Sequence, residues 1–163
     1  MPEQLNYYQA APDAMAAFIG LERYLSAQHD EQGLSEKLIE LVKIRVSQLN
    51  GCAYCLDMHN KDSRALAETE QRLYALSAWR EAPFYTQQER AALAWCETLT
   101  QWQQAEQRPE LLQQLRTLFD DKAIVDLTLT ITNINTWNRL ALCFGADVGS
   151  YKAGQFDHIL KPS

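Results

Sequence analysis

The sequence predicts an all-α fold, a compact bundle of about six or seven helices, and three observations carry that expectation. Apolar residues recur at helical spacing through most of the chain. Residues that start and stop helices, among them Ser35, Asn50-Gly51, Thr69 and Thr86, divide it at helix length. The one stretch with strand periodicity has no second strand to pair with.

Pro12-Asp13 opens the first helix, in which Met15, Phe18, Ile19 and Leu25 share a face and which is expected to run to about His29. Gly33 punctuates the chain, and Ser35 caps the next helix. Leu38, Ile39, Leu41, Val42, Ile44, Val46 and Leu49 leave that helix only a narrow polar face, so it should be largely buried. Asn50-Gly51 ends it, because glycine adopts the left-handed stop at little cost. A third helix should begin near Cys52 and run to about Leu66. Thr69 caps a short helix carrying Leu73 and Leu76. Thr86 with Glu89 forms a capping box for a longer one, where Leu93, Cys96, Leu99 and Trp102 make a stripe. Pro109 suits the first turn of another short helix. In Asp126 to Thr132, leucine and isoleucine alternate with threonine as in a strand. Over a wider window Ile124, Leu127, Ile131, Ile134, Asn138 and Leu142 keep helical spacing, and a helix is expected.

The chain has 163 residues, 47% of them hydrophobic, which suits one domain over residues 1–163, with a core of about 15–145 and a tail of about 146–163. A net charge of −6 gives no electrostatic footprint for nucleic acid or an acidic membrane surface, which need clustered Lys and Arg, so neither is expected as a partner. The first residues lack the basic and apolar regions of a signal peptide, and no stretch is apolar enough to span a bilayer, so a cytoplasmic location is expected. Four cysteines are too few for a disulfide scaffold, and a close pair of them suggests redox work or metal.

That pair stands in Glu40 to His59, ELVKIRVSQLNGCAYCLDMH. On a helix Cys52, Cys55 and His59 share one face. Glu40 lies ten residues before Asn50 and His59 nine after it, so two antiparallel helices set them at matching heights. A carboxylate on an apolar face opposite a histidine orients the imidazole and favours its charged form. Thiolate is the nucleophile, and a nearby His and a helix N-terminus both favour it. A second cysteine can capture a sulfenic acid or a mixed disulfide. Reach to a base favours Cys55 as the attacking thiol, whereas the helix dipole favours Cys52, as an exposed partner for external thiols.

The Glu, eleven residues, Cys-x-x-Cys, three residues, His pattern of Glu40, Cys52, Cys55 and His59 resembles the signature of the alkylhydroperoxidase AhpD-like members of the carboxymuconolactone decarboxylase superfamily. The later IVDLTLTITNINTWNRLALCF resembles that family's second conserved helix, so the resemblance covers about residues 15 to 145. It implies an all-α fold, assembly as a trimer or hexamer, and peroxide reduction by vicinal cysteines without a bound cofactor or metal. It further implies that Cys55 attacks peroxide, that Cys52 is its disulfide partner, and that His59 and Glu40 relay protons. Substrates would be hydroperoxides or small disulfides, with an external thiol or dithiol as reductant. The departure is at Tyr54, where well-studied peroxidases of the family carry His; their strong activity and lipoyl-protein donor are not carried over.

Two other readings use the same residues. In one, Cys52, Cys55, His59 and Glu40 are four ligands of a kind zinc accepts, in a metal-binding or scaffolding oligomer. In the other the chain decarboxylates a lactone, a reaction that needs no cysteine pair. Cys96 and Cys143 are expected to be buried small hydrophobes, and His29 and His158 solvated. Asn135, Asn138 and Arg139 are expected to serve helix-to-helix hydrogen bonds, with a pocket-lining role as the alternative. Trp79, Trp95, Trp102 and Trp137 are expected in the core or at subunit contacts, and so much apolar surface predicts a homo-oligomer.

Overall fold

Capping chemistry fixes where the helices begin. In the computed structural model, which describes residues 4–161, Ser35 Oγ accepts the Leu38 N–H, Thr69 the Arg72 N–H, and Thr86 with Glu89 closes a reciprocal box. The helices they start are α3 (Glu36–Asn50), α5 (Glu70–Ala75) and α6 (Gln87–Thr100). Around them run α1 (Tyr7–Ala10), α2 (Pro12–Ser26), α4 (Ala53–Ala65), α7 (Arg108–Arg116), α8 (Asp121–Phe144) and α9 (Asp157–Leu160). Pro12 and Pro109 sit in first turns, where a missing N–H costs nothing. Among the described residues there is no strand, and no helix is long and apolar enough to cross a membrane.

α3 is the central element, packed on α4, α6 and α8. Its Val42, Ile44 and Val46 are wholly buried, as are Leu127 and Ile131 of α8 and Leu76. The threonines of the ambiguous segment fit a helix because their hydroxyls bond back one turn: Thr128 Oγ1 donates to the Ile124 carbonyl and Thr130 Oγ1 to that of Asp126. Asn138 of α8 is fully buried; its Nδ2 donates to Ser47 Oγ, and its Oδ1 accepts from Asn50 Nδ2. Asn135 accepts from the same Asn50 amide, so both asparagines tie α8 to the end of α3. Exposed Arg139 donates to Asn135.

Three expectations are corrected. The first helix stops at Ser26 rather than near His29. Trp102 lies outside the expected stripe of α6, because that helix ends at Thr100 and the Gln101 backbone leaves helical geometry; its ring is 59% exposed in the single chain. Cys143 is exposed near the free end of α8, whereas Cys96 is buried, and burial pushes its thiol up. The segment after α8 packs against the rest of the fold. Tyr151 is buried, Arg23 Nε donates to the Ile159 carbonyl at 2.7 Å, and Lys161 pairs with Glu36.

Candidate active site

Gly51, at φ 71°, turns the chain from α3 into α4 with a left-handed residue. The hairpin this makes brings Glu40 and His59 together: His59 Nδ1 lies 2.8 Å from Glu40 Oε2, and both side chains are buried. Cys52 is the N-cap of α4, and its Sγ accepts the Cys55 N–H at 3.3 Å. Cys55 occupies the first turn, with His59 one turn further on. The two cysteines are joined as a disulfide, with Cα atoms 5.4 Å apart. The four residues singled out in the sequence thus occupy one place.

Cys52, expected to be the exposed partner for external thiols, is 1% exposed, and Cys55 2%. The cap geometry accounts for this, since Cys52 folds its sulfur over the first turn of α4 while its N–H bonds the Ser47 carbonyl. With Nδ1 taken by Glu40, Nε2 is the ring nitrogen left to exchange a proton; it is buried and has no hydrogen-bond partner. Tyr54, between the cysteines, is half-buried, and burial raises its phenol above the ordinary value, helped by Tyr7, Asp57 and Asp147. A phenol that keeps its proton is no base near neutrality, which leaves His59 to that role.

Behind this pair lies a charge cluster that the sequence did not reveal. Lys43 of α3, only 14% exposed, lies between Glu22 of α2, at 3.0 Å, and Glu40, at 3.7 Å. Burial alone would lower the lysine, yet the two carboxylates outweigh it and hold the ammonium charged. Burial alone would raise the Glu40 carboxyl, but His59 and Lys43 overcome it and hold it at about 2. Glu22 is likewise held below its ordinary value by Lys43, and it accepts from Asn133 Nδ2 and Trp137 Nε1 of α8. On the other side, Asp62 of α4 accepts the Tyr151 hydroxyl and the Gly154 N–H.

An oxygen of Glu40, a ring nitrogen of His59 and an oxygen of Asp62 lie within 4.8 Å of one another. Glu40 and His59 are spent on each other and Asp62 on Tyr151 and Gly154, while the cysteines are spent on their mutual bond. These bonds form a proton network beside the dithiol, with His59 Nε2 the ring atom that none of them uses. No pattern in the sequence pointed to Glu22, Lys43 or Asp62. The available signal was weak: charged residues inside otherwise apolar helix faces.

Residues 12–98 match the model of the carboxymuconolactone decarboxylase family. The uncharacterized protein YdfG of Bacillus subtilis is 41% identical over 145 residues, which is 89% of this chain and 96% of that one. A crystal structure from Agrobacterium tumefaciens, of a protein of unknown function put forward as an antioxidant defence protein of the AhpD kind, aligns with a TM-score of 0.82 and 40% identity, over 91% of this chain and 99% of that one. An uncharacterized peroxidase-related protein from Silicibacter aligns at 0.75 with 26% identity, over 91% and 77%.

Proposed function

The chain belongs to the carboxymuconolactone decarboxylase family, and from that premise and the geometry of its site we propose that it is a thiol-dependent peroxidase. It reduces hydroperoxides or small disulfides through Cys52 and Cys55, with Glu40 and His59 as the proton relay. The observation that carries this reading is a vicinal disulfide at the N-terminus of α4, one turn from a buried histidine whose Nδ1 is fixed by a carboxylate. The descriptions of the Agrobacterium and Silicibacter proteins support it.

In the reduced enzyme His59 Nε2 takes the Cys55 proton. The Cys55 thiolate attacks the terminal oxygen of the hydroperoxide; the O–O bond breaks, and the alkoxide leaves as alcohol with the proton from His59. Cys55 is now a sulfenic acid. Cys52, favoured as thiolate by its N-cap position, attacks the Cys55 sulfur, and hydroxide leaves with a proton as water. Two thiols and one hydroperoxide have become a disulfide, an alcohol and a water. An external dithiol restores the pair by exchange and is itself oxidised to a disulfide. Reach and dipole therefore serve different steps, the first at Cys55 and the second at Cys52.

Mass spectrometry of the reduced protein before and after one equivalent of hydroperoxide tests this. We expect loss of two hydrogens confined to the peptide that holds Cys52 and Cys55. A peptide left unchanged while the hydroperoxide persists refutes the reading.

A further inference from the structure

The reaction just described makes no use of Asp62 or Tyr151, yet both are placed with care. Tyr151 is 5% exposed, and its hydroxyl lies 2.9 Å from each oxygen of Asp62. Gly154 adds its N–H at 3.1 Å, and Lys61 Nζ binds the backbone carbonyls of Gly149 and Tyr151. A simple anchor for the segment after α8 needs no more than this. It does not need the carboxylate to approach Glu40, where two like charges within 4.8 Å repel unless a cation stands with them.

The groups that face this point are few. α2 contributes Glu22, α3 contributes Glu40 and Lys43, α4 contributes His59 and Asp62, and the C-terminal segment contributes Tyr151. His29, between α2 and α3, also acts on Glu40 at longer range. α8 offers Glu22 only neutral donors, Asn133 and Trp137. Lys43 offsets one carboxylate. With Asp62 ionised, two negative charges remain; Lys161 of the C-terminal segment attracts Asp62 and His29 attracts Glu40 from further off, and the His59 ring is the group that lies within 4.8 Å of both carboxylates. We infer that Asp62, anchored by Tyr151 and Gly154, is a second positioning carboxylate for His59, so that the segment after α8 is part of the relay.

Asp62 differs from Glu40 in a way that gives it a distinct role. Burial raises its carboxyl above the ordinary value, and the Gly154 and Tyr151 donors offset this only in part. As pH falls, Asp62 therefore takes a proton before Glu40 does, and its support of the imidazolium is withdrawn first. Removing the Tyr151 hydroxyl leaves Asp62 with one donor fewer, which shifts it further toward its neutral form.

The inference rests on the thiol peroxidase reading for the reaction that the relay serves, so its test uses the oxidised protein, where neither cysteine titrates and no peroxide is needed. The His59 ring is followed by NMR against pH in wild type, Asp62→Asn and Tyr151→Phe, its signal assigned by its loss in His59→Gln. We expect the midpoint to fall by about one pH unit in Asp62→Asn, a tenfold loss of proton affinity, and by less in Tyr151→Phe. Tyr151→Phe keeps the ring against Phe156, so one variant stays folded even if the other does not. A midpoint that does not move, whether or not the thermal midpoint drops, leaves Asp62 as a mere anchor and overturns the inference. Hydroperoxide consumption by the reduced wild type is measured separately; its absence refutes the peroxidase reading and leaves the His59 titration intact.

Discussion

Replacing Glu40 with glutamine keeps the shape of the side chain and removes its charge. The carboxyl is held at about 2 against an ordinary 4.5. The ionised form is therefore strongly preferred in the fold. His59 is the stronger partner and Lys43 the weaker. Loss of that carboxylate removes the charge beside the His59 ring, and reactivity that passes through the ring should fall roughly 10- to 100-fold, the range for weakening a partner that orients a catalytic group. The fold should persist, because Lys43 retains Glu22 at 3.0 Å. The assay is stopped-flow consumption of hydroperoxide by the reduced protein, paired with iodoacetamide alkylation from about pH 6 to about pH 9 and with a thermal melt. Wild-type rates across that range would show that the contact between Glu40 and His59 is structural and that the relay is wrong.

Other perturbations separate the parts of the site. Cys55→Ser should abolish hydroperoxide consumption, while Cys52→Ser should let a sulfenic acid accumulate on Cys55; a fully reactive Cys52 in Cys55→Ser reverses the roles. Lys43→Met removes the ammonium that stands between Glu22 and Glu40 and should cost about 3 to 5 kcal/mol in urea denaturation; a cost below about 1 kcal/mol would contradict the charge account. Glu22 and Glu40 are both depressed in the fold, so the unfolded chain binds protons first: their stabilisation is full above about pH 4.5 and lost as pH falls toward about 2. A stability that stays level through that window in acid denaturation would rule it out. Exposed Tyr8, Tyr24, Val125 and Leu142 leave apolar surface that a homo-oligomer would cover, and a monomer in sedimentation at micromolar concentration would refute that expectation.

What the sequence made legible is what a helix makes regular. Rise per residue and a glycine stop were enough to set Glu40 opposite His59, because one hairpin with one turn leaves the register no freedom. The long helix α8 was legible for the same reason, once its window exceeded the alternating threonines. Contacts across separated elements were not. Glu22 meets Lys43 through the packing of α2 against the core, and Asp62 meets Tyr151 at a separation of 89 residues, across loops whose path no periodicity encodes. Cys52 was misjudged for a related reason: its place at the helix start was readable, whereas its burial depends on how the cap folds over the turn.

The buried charges also bear on why this site is built from a histidine rather than from the helix dipole alone. A dipole favours thiolate at the N-cap by about 1 kcal/mol, which serves Cys52, but it cannot deliver a proton to a departing alkoxide. Delivery needs a group that holds a proton in a buried place, where burial itself opposes charge. Glu40 at 2.8 Å meets that requirement for His59, but an isolated carboxylate there would be pressed toward its own neutral form. Lys43 prevents this, and Glu22, with its α8 donors, keeps Lys43 charged in turn. Each charge is tolerable only because of the next, so the cluster is a costly way to stabilise a core and an effective way to hold an imidazole in place beside a dithiol.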